Sequence, residues 1–174
     1  NMVDNIVYMV RYQFGHMYYR YFMWNFAGRD GDEKESGWLY PWETNSDAPY
    51  ELAINKSRSN FYMLPLALGL IGLFFQLFRD KKNFWVNMLL FFSMGLGLVI
   101  YLNSPPVEPR ERDYIYVGSF YAFCIWIGLG VLALHSYYKA IVGDNMLGVV
   151  VAGALASFIP GVMAVNGWDN HNRS

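Results

Sequence analysis

The 174 residues carry a formal net charge of −1, are 55% hydrophobic before any of the 16 glycines is counted, and are only 16% charged. An ordinary soluble domain is about 45–50% apolar with glycine included and about 25% charged, so the composition excludes a disordered chain and argues against a typical soluble enzyme. The near-neutral charge removes the electrostatic case for a nucleic-acid partner, and the single cysteine, Cys124, excludes an intrachain disulfide or a multi-cysteine zinc site.

The chain changes character near residue 60. Before it, charges and aromatics are mixed; after it, long apolar stretches alternate with short polar breaks. Residues 1–60 are predicted as an extracytoplasmic or interfacial segment, 61–168 as a transmembrane segment and 169–174 as an extracytoplasmic tail. Asn1 opens on no basic stretch followed by an apolar run, so no signal peptide is expected there, and the chain is expected to be a piece of something longer.

From about Asp4 to Phe26 the sequence predicts a helix. Val10, Phe14, Met17, Tyr21 and Trp24 recur at spacings of three and four, and Gln13, His16 and Arg20 do the same on a polar stripe. Tyrosines and basic residues beside an apolar face suit a helix lying in the membrane interface; a partly inserted helix docked on the bundle is the alternative. The polar stripe reads as solvated or headgroup-facing, with a catalytic Gln13–His16–Arg20 set as the other reading. Asp30, Asp32, Glu33 and Glu35 follow in a loop whose spacing lacks the calcium-loop pattern. Trp38, Tyr40, Pro41 and Trp42 suit either stacking on a sugar ring or the membrane interface. Asn55-Lys56-Ser57 and Asn172-Arg173-Ser174 match the glycosylation acceptor pattern, which is short enough to arise by chance.

Four stretches, 61–78, 84–102, 114–137 and 146–165, hold no Asp, Glu, Lys or Arg. They reach or approach the roughly 20 apolar residues of a spanning helix, and a central charge would cost about 3 kcal/mol on insertion. An all-α membrane protein with about four transmembrane helices is predicted. The basic break Arg79–Asn83 belongs inside by the positive-inside rule, which leaves the loop 103–113 outside. On the last helix Gly153, Ser157 and Gly161 repeat every four residues beside Ala152 and Ala156, a face that admits a close neighbour. Gly95 and Gly97, with Gly128 and Gly130, suit the same role on their helices. Pro160 is expected to kink its helix, Cys124 to be a small packed residue, and His135 to sit at the interface, with a proton relay as the alternative.

Pro105, Pro106 and Pro109 stiffen the outer loop, and Arg110 and Arg112 then alternate with Glu111 and Asp113. Arginine suits bidentate contact with phosphate or carboxylate. The loop therefore either grips a lipid phosphate or forms an internal arginine–carboxylate clamp.

Three segments carry a resemblance: Tyr19-Arg-Tyr-Phe-Met-Trp-Asn-Phe-Ala-Gly-Arg29, Pro109-Arg-Glu-Arg-Asp-Tyr-Ile-Tyr-Val-Gly-Ser-Phe-Tyr-Ala-Phe123 with Ile125-Trp126-Ile127-Gly128, and Trp168-Asp-Asn-His-Asn-Arg-Ser174. In this order they resemble a polytopic membrane family of Bacteroidetes labelled a domain of unknown function. That family is similar to protein O-mannosyltransferases, and its vertebrate relative is one. The resemblance implies a GT-C glycosyltransferase that takes a mannose-like sugar from a polyprenyl phosphate and places it on an acceptor protein at the outer face of the bacterial inner membrane. It implies residues 1–60, 103–113 and 167–174 on the periplasmic side. Arg110 and Arg112 are then the candidates for the lipid phosphate, and His16, Arg20, Arg29, Asp113 and His171 are further candidates. No metal ligands and no cofactor are expected in this chain, and a divalent metal stays open for the full-length parent. The family's acidic early loop, which supplies the base, has no match here, and Asn172 stands where an Asp is expected. The chain thus resembles the later membrane half of such an enzyme and is expected to show no turnover alone. The alternative is a non-catalytic membrane subunit or transporter fragment; the lack of intramembrane acids counts against an ion-coupled transporter.

Overall fold

Apolar runs without charges wind into helices, and the polar breaks between them set the helix ends. A computed structural model describes residues 2–31, 36–43, 48–55, 57–105, 113–143, 146–166 and 168. Apart from one two-residue ribbon, its regular structure is all helical. Helix α1 (residues 2–26) joins an α segment Met2–Tyr8, a π segment Met9–Tyr19 and an α segment Arg20–Phe26. Strand β1 (Gly28–Arg29) pairs antiparallel with β2 (Ser59–Asn60), with the short helix α2 (Tyr50–Ala53) between them. Gly28 sits at φ +149°, and an added Cβ would lie 2.8 Å from the Ser59 carbonyl, so the ribbon needs glycine there. Helices α3 (Leu64–Arg79), α4 (Lys81–Leu102), α5 (Tyr114–Val142) and α6 (Met146–Asn166) follow.

Three of these, α4, α5 and α6, are long and apolar enough to cross a membrane. Helix α3 has only 16 residues, about 24 Å of rise against a hydrocarbon core of about 30 Å. The predicted first span at 61–78 is shortened because the N–H groups of Phe61 and Met63 are committed to the Ala27 carbonyl, beside the ribbon. Tyr62 and Met63 also take positive φ, and the helix starts only at Leu64. The predicted polar break at 79–83 shrinks to a single residue. Asp80 caps α4 by accepting from the Asn83 N–H at 3.2 Å, which draws Lys81 and Lys82 into the first helical turn.

Helix α5 forms the centre. Its register against α4 falls from Trp126 beside Phe84, through Ala122 at Asn87, to Ser119 at Gly95, so the two run antiparallel. Against α3 it packs more tightly. An added Cβ on Gly72 would collide with the Trp126 carbonyl, and one on Gly130 with the Leu68 carbonyl. Polar rungs cross the apolar seams: Trp126 Nε1 donates to Gln76 Oε1 at 2.7 Å, and Asn87 Nδ2 donates to the Ala122 carbonyl at 3.2 Å. Many large apolar side chains face outward, among them Trp85, Leu89, Ile100, Ile141, Val150 and Phe158. A soluble monomer rarely carries so large an exposed apolar surface, which is consistent with a multi-pass membrane protein.

The bundle has two unlike ends. One gathers α1, the ribbon, the end of α4 at Asn103, the start of α5 at Tyr116 and the end of α6 at Asn166. Asn166 is tied there twice: Ser59 Oγ donates to its carbonyl at 3.0 Å, and its Nδ2 donates to the Asn60 carbonyl at 3.1 Å. The Asp80 turn between α3 and α4 and the turn after Val142 lie at the ends of the same helices that point away from the ribbon.

Several expectations are corrected. Helix α1 is docked on the bundle: Tyr21, Phe22, Met23, Trp24 and Phe26 are buried in its core. Its polar stripe does not face solvent, since Gln13 and Arg20 are buried while Val10 is exposed. The cause is the π winding. The Arg20 N–H reaches back five residues to the Gly15 carbonyl, so a 3.6-residue period fails across this stretch. Gly153 and Gly161 meet nothing within 4 Å, and neither does Gly128. Cys124 is exposed on α5 instead of packed. Gly95 does pack as expected, with an added Cβ 2.6 Å from the Tyr18 hydroxyl.

Candidate functional site

Sequence points first to the loop carrying Arg110 and Arg112. Those residues and His171 lie outside the described residues, as do Asp32, Glu33 and Glu35 and the side chain of Asp113. What the structure describes is how the loop's two ends are held. At its entry, Tyr8 Oη donates to the Ser104 carbonyl at 2.8 Å, and Gln13 Nε2 donates to Asn103 Oδ1 and the Ser104 carbonyl, each at 3.1 Å. A cavity of about 530 Å³ opens between these residues and Pro105. At its exit, the Tyr116 ring stands edge-on to Tyr18 at 5.4 Å, and the Tyr18 and Ser119 hydroxyls share a buried hydrogen bond of 2.6 Å. Burial pushes the Tyr18 hydroxyl's pKa up, opposed by the Ser119 bond, so the group stays neutral. Helix α1 therefore holds both ends of the arginine-bearing segment.

The second candidate region is built on Trp24. Its Nε1 donates to the Gly37 carbonyl at 2.7 Å, which fixes the ring. The Arg20 guanidinium lies 4.8 Å from its centroid and the Arg29 guanidinium 4.4 Å. Arg20 is buried; its Nε donates to the His16 carbonyl at 3.1 Å, and it also stands over Tyr21 at 4.9 Å. Arg29 lies on β1, and its Nε donates to the Gly31 carbonyl at 2.6 Å. Arginine is suited to this because its planar cation is weakly hydrated and stacks on aromatic faces. Beside the cluster a pocket of about 210 Å³ is lined by Tyr21, Trp24, Asn25, Arg29, Ser59, Phe61 and Met163. Nearby, Asp30 is held in an ion pair by Arg58.

Arg20 and Arg29, named from the sequence, thus meet on one ring. His16 does not join them as a catalytic partner: its ring stacks on Tyr12 at 5.3 Å, and Tyr12 stacks on Tyr8. Gln13 faces the other cavity, so the Gln13–His16–Arg20 stripe does not converge on one point. Tyr40 and Trp42 stack at 5.0 Å, with Trp42 open to its surroundings. The residues missed are Trp24 and Asn25. The Arg20–Trp24 spacing of four was a readable signal, but nothing local shows that Arg29 folds back across the turn. Among the described residues, no group of three or more His, Cys, Asp and Glu is placed to hold a metal ion. No family model, curated protein or solved structure matches the chain.

Proposed function

We propose that the chain is the membrane-embedded part of a GT-C-like glycosyltransferase that takes a mannose-like sugar from a polyprenyl phosphate and places it on protein hydroxyls at the outer face of the inner membrane. The reading rests on the resemblance of three segments in order along the chain. The observation that carries it is that two of those segments, about 90 residues apart, share one core. Phe22 and Phe26 from the first lie against Phe120 and Phe123 from the second, with ring centroids 4.6–6.1 Å apart. This supports the resemblance as that of a folded unit instead of scattered matches. In this reading the ribbon end faces the periplasm and Lys81 and Lys82 face the cytoplasm. Arg110 and Arg112 contact the donor phosphate, and the base comes from the family's acidic early loop. Donor positioning is then this chain's share of the rate.

A second reading, a non-catalytic membrane subunit, is favoured by Asp30. Its carboxylate is held by Arg58 and is not free to act as a base.

The test is glycosyl transfer by the full-length parent from polyprenyl-phosphate mannose to an acceptor peptide. Arg110→Lys and Arg112→Lys keep the charge and lose the planar fork. A charge-assisted hydrogen bond is worth about 1.5–3 kcal/mol, so at least one substitution is expected to raise the donor KM on the order of tenfold with kcat kept. A folded parent with no turnover on any lipid-linked sugar overturns the reading in favour of the second.

A further inference from the structure

At the ribbon end of the bundle the Arg29 guanidinium has no acid partner among the described residues. Arg29 uses one of its five N–H donors on the Gly31 carbonyl, and its guanidinium is pinned against the Trp24 face. No acid among the described residues pairs with it, and its neighbour Asp30 is already taken by Arg58. The four donors left over on this half-buried cation are open to an acceptor from beyond these described residues.

The adjoining pocket is shaped for such an acceptor. Among the described residues of its lining, Arg29 is the one charged group. The other polar groups there are engaged: Ser59 Oγ donates to the Asn166 carbonyl, and Asn25 Nδ2 donates to the Tyr21 carbonyl at 2.7 Å. At about 210 Å³ it falls below the roughly 300–1,000 Å³ of sites that enclose a whole drug-sized ligand, so it suits a headgroup. One wall, Met163, belongs to α6, a helix of spanning length, three residues before its end at Asn166. The end of a spanning helix lies at headgroup depth, where Trp and Tyr also concentrate, and Trp24 and Tyr21 line the same pocket.

We propose that this pocket holds the phosphate of an anionic phospholipid of the surrounding bilayer, with Arg29 as its bidentate donor and Trp24 as the platform that orients the guanidinium. The bound lipid bridges the ribbon and α6, adding to the two hydrogen bonds that Asn166 makes there. This rests on the chain lying in a membrane and not on the glycosyl-transfer reading.

The experiment is native mass spectrometry of the whole purified chain in mild detergent, titrated with phosphatidylglycerol, with diacylglycerol of the same acyl chains, and with farnesyl phosphate. Phosphatidylglycerol is expected to bind about tenfold tighter than diacylglycerol. Arg29→Ala is expected to abolish that preference, Arg29→Lys to cut it at least threefold by losing the fork, and Arg79→Ala, at the far end of α3, to leave it intact. An equal preference in wild type and Arg29→Ala overturns the proposal. If Arg29→Ala does not fold, an unchanged preference in Arg29→Lys overturns it. Farnesyl phosphate binding at Arg29 tenfold tighter than phosphatidylglycerol also overturns it, because the site then belongs to a prenyl phosphate and not to a bilayer lipid. Release of the chain from membranes by alkaline carbonate defeats the membrane reading itself. A chain retained in the membrane with no Arg29-dependent lipid defeats this proposal alone.

Discussion

Helices α5 and α6 both carry glycines, but they use them differently. On α5, Gly130 sits against the backbone of α3, and Gly69 and Gly72 of α3 receive Phe123, Ile127 and Trp126 in return. On α6, Gly153 and Gly161 face open space. In the most apolar window of each helix, 39% of α5 is buried but only 12% of α6. Small residues permit a close approach without choosing the partner. What distinguishes the α3–α5 seam is that its close approach is accompanied by matched groups: Trp126 finds Gln76, and the Leu68 and Trp126 carbonyls find glycines instead of side chains. Helix α6 is instead secured near its end, where Asn166 bonds the ribbon.

The largest effect that would break this comparison is expected at Gly72 and Gly130. Leucine at either position drives a side chain into a neighbouring backbone, which cannot rotate away. Overpacking of this kind costs about 3 kcal/mol or more, a fall in Tm on the order of 10 °C for a chain of this size. Thermal unfolding of the purified variants in detergent measures it, and a Tm within 2 °C of wild type, by the same scaling, would show that the helices separate at little cost.

Next comes Tyr18→Phe. It removes one partner of a buried hydroxyl pair and leaves Ser119, which is fully buried, unmet. The expected loss is about 1–3 kcal/mol, and Ser119→Ala on top of it should recover part of that loss, since both partners are then gone. The double-mutant comparison of unfolding free energies checks this.

A smaller effect is expected from Gln76→Leu, which leaves the Trp126 N–H without its acceptor. Such contacts between membrane helices average about 0.6 kcal/mol. Asn87→Leu should cost less than the usual loss of a hydrogen bond, because Asn87 Oδ1 is buried without a partner among the described residues and leucine removes that penalty too. The order of the two melting temperatures, Gln76→Leu below Asn87→Leu, is the readout.

The smallest effect sharpens the comparison. Gly153→Leu and Gly161→Leu on α6 should each change stability by less than about 0.5 kcal/mol. A loss matching that at Gly72 would mean that α6 packs its small face on a partner in the membrane.

Much of the helical plan was legible in the sequence. Charge-free runs of spanning length admit few alternatives, because a charge in hydrocarbon costs several kcal/mol while a helix meets all its own backbone hydrogen bonds. Thus α4, α5 and α6 lie close to their predicted bounds. Helix α1 was readable as a helix but not as a buried one. A period of 3.6 residues per turn separates Gln13 and Arg20 from the apolar face, but the π winding from Met9 to Tyr19 turns both inward. Of the candidate site, Arg20 and Arg29 were visible as residues, but their meeting on Trp24 was not. That meeting requires the chain to reverse at Gly28 and pair with Ser59 and Asn60, a contact about 30 residues away.

By itself, then, the sequence determined helix identity, approximate length and the apolar character that makes three helices fit to cross a membrane. These follow from composition and short-range spacing, which act within a few residues. Only the tertiary structure decided that α3 starts no earlier than Leu64, that α1 docks, and which glycines are filled. Each depends on a hydrogen bond or a steric limit between groups far apart in sequence: the Ala27 carbonyl taking the N–H groups of Phe61 and Met63, or the Trp126 carbonyl meeting Gly72. No local pattern encodes which distant partner arrives, because that choice is made by the shapes of two surfaces together.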